Sequence, residues 1–312
     1  MTTLAPPARE RQRSARRRWV VAVVVVAVAG VVALVVAVAA QQDEAPVLSD
    51  HTESMRAVAT TSPEVGLADD FSAATPGPLD PAYLEDAWNA TYTDSVSRAS
   101  VVDEGDNRFV RVLYPEGAVG ATDSGATWRA HLPASEEATA EYRVRVEEGF
   151  DWTSGGKLPG LAGGSSPTGG TPDDQGFTAR YMWQPEGALI LYLYHSEQRD
   201  VYGDSIDLSS TLVPGRWHTL SQQVVLNTAG EPDGELRVWV DGELVLERTD
   251  MRWRTAGSDW SIDSFYFSSF HGGSSDDYRP DRDNHADFDD FVVEPSDGTD
   301  EIPADEDAQE GS

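Results

Sequence analysis

The sequence predicts an all-β domain built as a two-sheet antiparallel β-jelly roll. Eight segments alternate apolar and polar residues with a period of two and are rich in β-branched and aromatic side chains. Gly, Pro, Asp and Ser fill the spacers, Asp241-Gly242 is a favoured hairpin dipeptide, and helical periodicity is nearly absent. Many antiparallel strands of this length form two packed sheets. In chain order the segments are 107–115, 138–148, 177–184, 188–195, 217–227, 234–248, 261–270 and 286–295.

The chain begins with an arginine-rich arm followed by a long apolar run. Six arginines lie within residues 1–18, and the 22 residues of 19–40 carry no charge. A helix of this length crosses a bilayer core of roughly 30 Å, and flanking basic residues stay cytoplasmic. We therefore expect a single-pass anchor in the cell membrane, with the rest of the chain extracytoplasmic. Residues 37–39, Ala-Val-Ala, also fit a signal-peptide cleavage site, in which case the domain is secreted.

Composition divides the rest of the chain into three parts. Residues 41–68 are mixed polar and contain two prolines, which predicts a linker. Residues 69–295 hold the predicted strands and form the jelly-roll domain. Residues 296–312 contain seven acidic residues and no basic one, which predicts a disordered tail.

The charge balance limits the partners of the domain. Beyond the arm, 17 basic residues stand against 53 acidic ones, which argues against nucleic acid as a partner. The chain has no cysteine, so an exported domain must be held together by its core alone. We expect a monomeric domain whose only contact with the membrane is the N-terminal helix.

The segments 177–184 and 188–195 predict a hairpin with one polar and one apolar face. If residues 185–187 form the loop, Arg180 lies opposite Tyr192 and Thr178 lies opposite Tyr194. The leucines at alternate positions of the second strand then face the core. Two phenols, a guanidinium and a hydroxyl thus share one patch that faces a groove. Such a patch can also be an ordinary solvated sheet face.

The residue types of this patch meet the demands of β-elimination from a polyuronate. The proton at C5 is not acidic while the adjacent carboxylate is charged, so a cation must neutralise that carboxylate. Arg180 can supply this charge, as can Lys157, an isolated lysine between two glycine pairs. A tyrosine can act as base or acid if positive charge lowers its pKa. The chemistry requires no metal and no cofactor.

Five stretches of the sequence resemble polysaccharide lyase family 14, which contains alginate and glucuronan lyases. The resemblance covers roughly residues 105–293. It implies a β-jelly roll of the concanavalin A-like sandwich type and eliminative cleavage of an anionic, (1→4)-linked polyuronate. The stretches are GGKLPGLAGG (155–164), TARYMW (178–183), ALILYLYH (188–195), NTAGEPDGELRVWVDGELV (227–245) and FSSFHGGSSDDY (267–278).

The resemblance also implies catalytic residues. The family pattern places a lysine in the glycine-rich stretch, a serine two residues before an arginine, and two alternate tyrosines. The matching positions here are Lys157, Thr178, Arg180, Tyr192 and Tyr194, with threonine in place of the family's serine. We expect the two cations to bind the carboxylate, one tyrosine to act as base and acid, and Thr178 to orient the substrate.

Two further positions are candidates for substrate binding, and two other functions stay open. Trp183 follows the patch closely in sequence, and His271 lies at a predicted strand end beside two glycines.

A carbohydrate-binding module without chemistry can share this fold. A glycoside hydrolase needs two carboxylates facing one another, and no pair in the sequence is compelling.

Overall fold

Within residues 66–91, 95–171, 173–273 and 275–296, the part of the chain that the computed structural model describes, sixteen strands form two sheets. In chain order they are β1 (Leu67–Asp69), β2 (Gly77–Pro78), β3 (Ala90–Thr91), β4 (Ala99–Glu104), β5 (Asn107–Tyr114), β6 (Ala126–Ser135), β7 (Glu137–Val146), β8 (Gly156–Gly164), β9 (Gly176–Trp183), β10 (Ala188–Tyr194), β11 (Asp204–Thr211), β12 (His218–Val225), β13 (Gly234–Val240), β14 (Glu243–Met251), β15 (Ile262–His271) and β16 (Asn284–Ser296).

The two sheets are antiparallel throughout the described residues. The first has the order β14-β13-β12-β7-β16-β5-β4-β2, with β1 also paired to β16. The second has the order β11-β10-β9-β8-β15-β6-β3. Neighbours in each sheet are often distant in sequence, as where β15 lies between β8 and β6. This is the two-sheet antiparallel sandwich that the sequence predicts.

Helix contributes little to the fold. Helix α1 (Pro81–Trp88) begins at the N-cap Asp80, whose carboxylate accepts from the amide of Ala82, and ends at Asn89 in the left-handed conformation. Helix α2 (Gly120–Asp123) is a single turn. No helix in the described residues is long and apolar enough to span a membrane. The predicted anchor, residues 19–40, lies outside the described residues, as do residues 1–65 as a whole and residues 297–312 of the predicted tail.

The core lies between the sheets and follows the period-2 pattern of the strands. In β10 the predicted inward residues Leu189, Leu191 and Leu193 are all buried, as is Tyr181 of β9. Burying each such side chain stabilises the fold by roughly 1.5–3 kcal/mol, so the pattern fixes which face of the second sheet turns inward. The opposite face, turned away from the first sheet, is called the site face below.

Several strands escaped the sequence analysis. The sheet begins at Leu67, inside the segment predicted as linker, and β4, β6 and β11 lie in stretches to which no strand was assigned. Strand β8 matters most, because it contains Lys157 in a stretch treated as a glycine-rich loop. Its pairing with β9 and β15 shifts at a bulge between Lys157 and Gly160.

The first sheet carries a network of ion pairs on its outer face. Asp287 of β16 is 2% exposed and pairs with Arg111 at 2.7 Å and with Arg145 at 2.8 Å. Asp289, fully buried, pairs with Arg143 at 2.9 Å. Part of the acidic charge of the chain is thus neutralised on the sheet that lies opposite the site face.

Candidate active site

The site face is organised by cross-strand pairing. Arg180 of β9 lies opposite Tyr192 of β10 on one side and opposite Gly160 of β8 on the other. Gly160 in turn lies opposite Tyr266 of β15, and Tyr266 opposite Arg129 of β6. Directly opposed side chains have Cβ atoms roughly 5 Å apart. One row across five strands therefore brings two arginines and two tyrosines together.

Lys157 lies on the neighbouring row of the site face, opposite Met182. Its Nζ is 2.8 Å from the Met182 sulfur and 4.2 Å from the centroid of the Tyr192 ring. A thioether is a weak acceptor, so it compensates poorly for lost hydration of an ammonium group. Burial, and secondly the positive charge of Arg180, lower the pKa of Lys157 to about 7. At neutral pH a large fraction of this side chain is an uncharged amine.

Arg180 is a buried cation held by a hydroxyl and an aromatic ring. It is 2% exposed, and its Nη1 donates to Ser268 Oγ at 3.2 Å. Its guanidinium carbon lies 5.3 Å from the centroid of the Tyr266 ring. Its Nε has no hydrogen-bond partner among the described residues. A buried guanidinium with an unused donor is suited to receive a carboxylate.

The two tyrosines of β10 form a hydroxyl pair with unequal access. Their hydroxyl oxygens are 3.5 Å apart, and their rings meet edge to face with centroids 5.5 Å apart. Tyr194 is 1% exposed and accepts a hydrogen bond from the amide of Gly170 at 2.9 Å, whereas Tyr192 is only partly buried. Burial and the bond to Tyr194 raise the pKa of Tyr192, outweighing the lowering by Arg180. Tyr192 is therefore the more accessible phenol, and it holds its proton.

Thr178 is fully buried beside Tyr194. Its Oγ1 donates to the carbonyl of Pro167 at 3.0 Å, in the segment that follows β8. The register places it opposite Tyr194, as the sequence predicts. The hydroxyl is engaged with the backbone instead of facing open space. The structure thus brings Lys157, Thr178, Arg180, Tyr192 and Tyr194 together on one face.

Comparison with known families decides which of the open functions applies. The sequence model of polysaccharide lyase 14 matches residues 102–291, more than half of the chain. The chain belongs to polysaccharide lyase family 14. It is accordingly a polysaccharide lyase, which answers the alternatives of a binding module and a glycoside hydrolase. A search of the curated proteins found no match.

Solved structures of alginate lyases have the same fold as this family 14 chain. Alginate lyase Aly36B has 24% identity and a TM-score of 0.65, over 73% of this chain and 96% of that one. The PL-14 alginate lyase from Aplysia kurodai has 23% identity and a TM-score of 0.62, over 70% and 95%. Alginate lyase vAL-1 from Chlorella virus has 22% identity and a TM-score of 0.59, over 72% and 99%.

Two predicted substrate-binding residues of this lyase lie in the core instead. Trp183 is fully buried and donates from Nε1 to the carbonyl of Trp152 at 3.2 Å. His271, also fully buried, packs against Phe150 and Trp183 and bonds Thr153 Oγ1 at 3.0 Å. Burial lowers the pKa of His271 to about 4, so the ring is neutral at neutral pH. Neither side chain offers a surface that a sugar can contact, and the prediction is corrected for both.

The sequence analysis of the lyase missed three residues of the site face. Tyr266 and Ser268 alternate with the buried Phe265 and Phe267 in β15, and this period-2 pattern could have revealed them. Arg129 lies in the strand β6, which was not predicted. No three His, Asp or Glu residues in the described parts of the chain are placed to hold a metal ion.

Proposed function

We propose that this lyase cleaves a (1→4)-linked polyuronate of the alginate or glucuronan type by β-elimination. The observation that carries the proposal is a partly accessible phenol, Tyr192, that adjoins both an arginine and a lysine. Arg180 lies opposite it in the sheet, and Lys157 Nζ lies 4.2 Å from its ring centroid. A polyuronate offers both groups that this arrangement needs, a carboxylate and a leaving oxygen on adjacent carbons.

The protonation states favour one division of roles. A general base must be unprotonated, and a general acid protonated, at the working pH. The pKa of Lys157 is lowered to about 7 and that of Tyr192 is raised, so the amine is the base and the phenol is the acid. Arg180 keeps its charge and neutralises the carboxylate. Arg180 lowers the pKa of Tyr192, but burial and the bond to Tyr194 raise it by more.

In the proposed step two protons move and one C–O bond breaks. Lys157 Nζ takes the proton from C5, and the electron pair of that bond forms the double bond between C4 and C5. The bond between C4 and the glycosidic oxygen breaks, and this oxygen takes the proton of the Tyr192 hydroxyl. Arg180 stabilises the charge that develops on the carboxylate during the step. Exchange with water then returns a proton to Tyr192 and removes one from Lys157.

The unsaturated product provides the test. Full-length protein is incubated with glucuronan, polymannuronate and polyguluronate, and the ultraviolet absorbance of the 4,5-unsaturated uronide is followed. We expect product with at least one substrate and a loss of at least about 100-fold in Tyr192→Phe. Tyr83→Phe is the matched control, because it also removes a hydrogen-bonded tyrosine hydroxyl but in helix α1. No product from any polyuronate would refute the proposal.

We also propose that the domain acts outside the cytoplasm, either anchored by residues 19–40 or released after cleavage near residues 37–39. The apolar run and the arginines before it support this location. Fractionation of expressing cells distinguishes the two forms, since anchored protein sediments with membranes and cleaved protein is secreted. Protein confined to the cytosol would refute both.

A further inference from the structure

Two loops meet beside the tyrosine pair. Residues 165–171, called the rim loop here, follow β8, and residues 195–203 connect β10 to β11. The rim loop is fixed by two bonds to site-face residues, one from Thr178 to the carbonyl of Pro167 and one from the amide of Gly170 to the Tyr194 hydroxyl. Because both side chains are buried, these bonds hold the loop against the sheet.

The two loops contact one another at Gly170 and Tyr202. A Cβ built on Gly170 would lie 2.7 Å from Cε1 of the Tyr202 ring, so the ring packs directly on the glycine backbone. Gly170 also has a φ of +78°, which favours glycine. A Cβ built on Gly203, the next residue after Tyr202, would lie 2.9 Å from Cδ2 of the Tyr194 ring, so this backbone packs against the tyrosine pair. Tyr202 is therefore one residue away from a direct contact with the tyrosine pair.

Tyr202 is far more exposed than any other aromatic side chain of this region. It is 63% exposed, whereas Tyr194 is 1% exposed. One edge of its ring rests on the rim loop, and much of the rest faces solvent. A large exposed aromatic residue whose position is fixed by its neighbours loses little entropy on binding.

We propose that Tyr202 is a stacking platform for a sugar ring, forming a subsite beside the cleavage site. The occupant is a pyranose unit of the polyuronate, next to the unit whose C5 proton is removed. The apolar C–H face of a pyranose complements an aromatic face, and hydroxyls at the ring edge stay solvated. The inference rests on the proposed function and names a further part of the same site.

Thr178 and Tyr194 take a different role under this proposal. Their hydroxyls bind the rim loop, and the rim loop carries Gly170, on which Tyr202 rests. They are therefore positioning residues for the platform, and Tyr192 remains the phenol that touches the substrate. A threonine serves this purpose as well as a serine, since only its hydroxyl is used.

The test measures binding separately from catalysis. Isothermal titration with a polymannuronate hexasaccharide uses full-length Tyr192→Phe protein, so that the ligand is not consumed. In this background we expect Tyr202→Ala to weaken binding about tenfold and Tyr202→Phe to preserve it within about twofold. Gly170→Ala should also weaken binding, since its Cβ displaces the Tyr202 ring. Leu244→Ala, which truncates a 45% exposed side chain of β14, is the control and should have no effect.

The outcomes separate this inference from the proposed function. Binding by Tyr202→Ala equal to that of the parent protein would overturn the subsite, whatever the catalytic result. Wild-type protein that binds the hexasaccharide but forms no unsaturated product would instead overturn the proposed function. In active protein, Tyr202→Ala should raise KM about tenfold and leave kcat within about twofold, because the platform binds a non-reacting unit. A fall in kcat alone would contradict a binding role.

Discussion

Raising the pH from 6 to 8 should increase kcat/KM of the lyase about tenfold, with a midpoint near pH 7. The perturbation acts on Lys157, whose pKa burial and Arg180 lower to about 7. With that pKa, about 9% of the amine is unprotonated at pH 6 and about 91% at pH 8. Since kcat/KM reports the ionisation of the free enzyme, the rate constant should follow this fraction and then level off.

The size and direction of the change in kcat/KM distinguish three possible states of Lys157. A lysine with its ordinary pKa of roughly 10.4 would give an increase of about 100-fold over the same interval, without levelling off. A lysine that serves as the neutralising cation must be protonated, so kcat/KM would instead fall about tenfold. Only an amine base with a lowered pKa gives a modest rise with a plateau. Substrate carboxylates stay ionised throughout this range and do not contribute.

The assay is the initial rate of absorbance increase from the unsaturated uronide, at substrate concentrations far below KM and constant ionic strength. Lys157→Arg supplies the second arm, because a guanidinium keeps the charge but does not release its proton. We expect this variant to lose at least about 100-fold in kcat/KM. A variant that stays active, or a wild-type rate that falls between pH 6 and 8, would refute the role of Lys157 as base.

Three further predictions concern the support of the site. Ser268→Ala removes the hydroxyl that binds Arg180 and should lower kcat/KM about tenfold in the uronide assay, with the melting temperature little changed. Thr178→Val leaves the Pro167 carbonyl without its donor and should speed amide hydrogen exchange in the rim loop, whereas Thr178→Ser should match wild type. Leu191→Ala should destabilise the fold by about 2–5 kcal/mol in urea unfolding, because its side chain is fully buried between the sheets. An unchanged kcat/KM in Ser268→Ala would contradict the first prediction. Unchanged hydrogen exchange in Thr178→Val, or an unchanged urea unfolding midpoint in Leu191→Ala, would contradict the second or the third.

The hairpin of β9 and β10 shows how far the sequence alone leads. Alternation fixes which residues share a face, and the connector fixes the register, so the pairing of Tyr192 with Arg180 and of Tyr194 with Thr178 was predicted and is confirmed. The amide of Gln184 bonds to the carbonyl of Ala188 at 2.7 Å, which is the predicted end of the hairpin. Local pattern suffices here because both strands belong to one continuous stretch of chain.

Strand β8 shows why the rest could not be predicted. Glycine and proline ordinarily argue against a strand interior, and the stretch around Lys157 contains both. In the fold they serve long-range contacts: a Cβ on Gly160 would lie 1.9 Å from the carbonyl oxygen of Ala179, and Pro159 accepts from Tyr142 on the other sheet at 3.1 Å. Ala179 lies on the neighbouring strand and Tyr142 on the other sheet, so no local sequence pattern reveals these contacts.

The roles of the site residues depend on burial, which the sequence does not give. Charge alone suggests that Arg180 lowers the pKa of Tyr192, and that effect is present. Loss of hydration acts in the opposite direction and is larger. The same loss of hydration acts on Lys157 together with the charge of Arg180, so for this amine both effects lower the pKa. The arrangement thus separates the proposed acid from the proposed base although both adjoin one cation.

The net negative charge of the chain is compatible with the polyanion that we propose as substrate, because the cations are not neutralised equally. On the first sheet, Arg111 and Arg143 form close ion pairs with carboxylates. On the site face, Lys157, Arg180 and Arg129 form no ion pair with a carboxylate of the described residues. Surface charges are screened beyond about 8 Å at physiological ionic strength, so a substrate near this face experiences mainly its unpaired cations. Where the acidic residues lie therefore matters more to this lyase than how many there are.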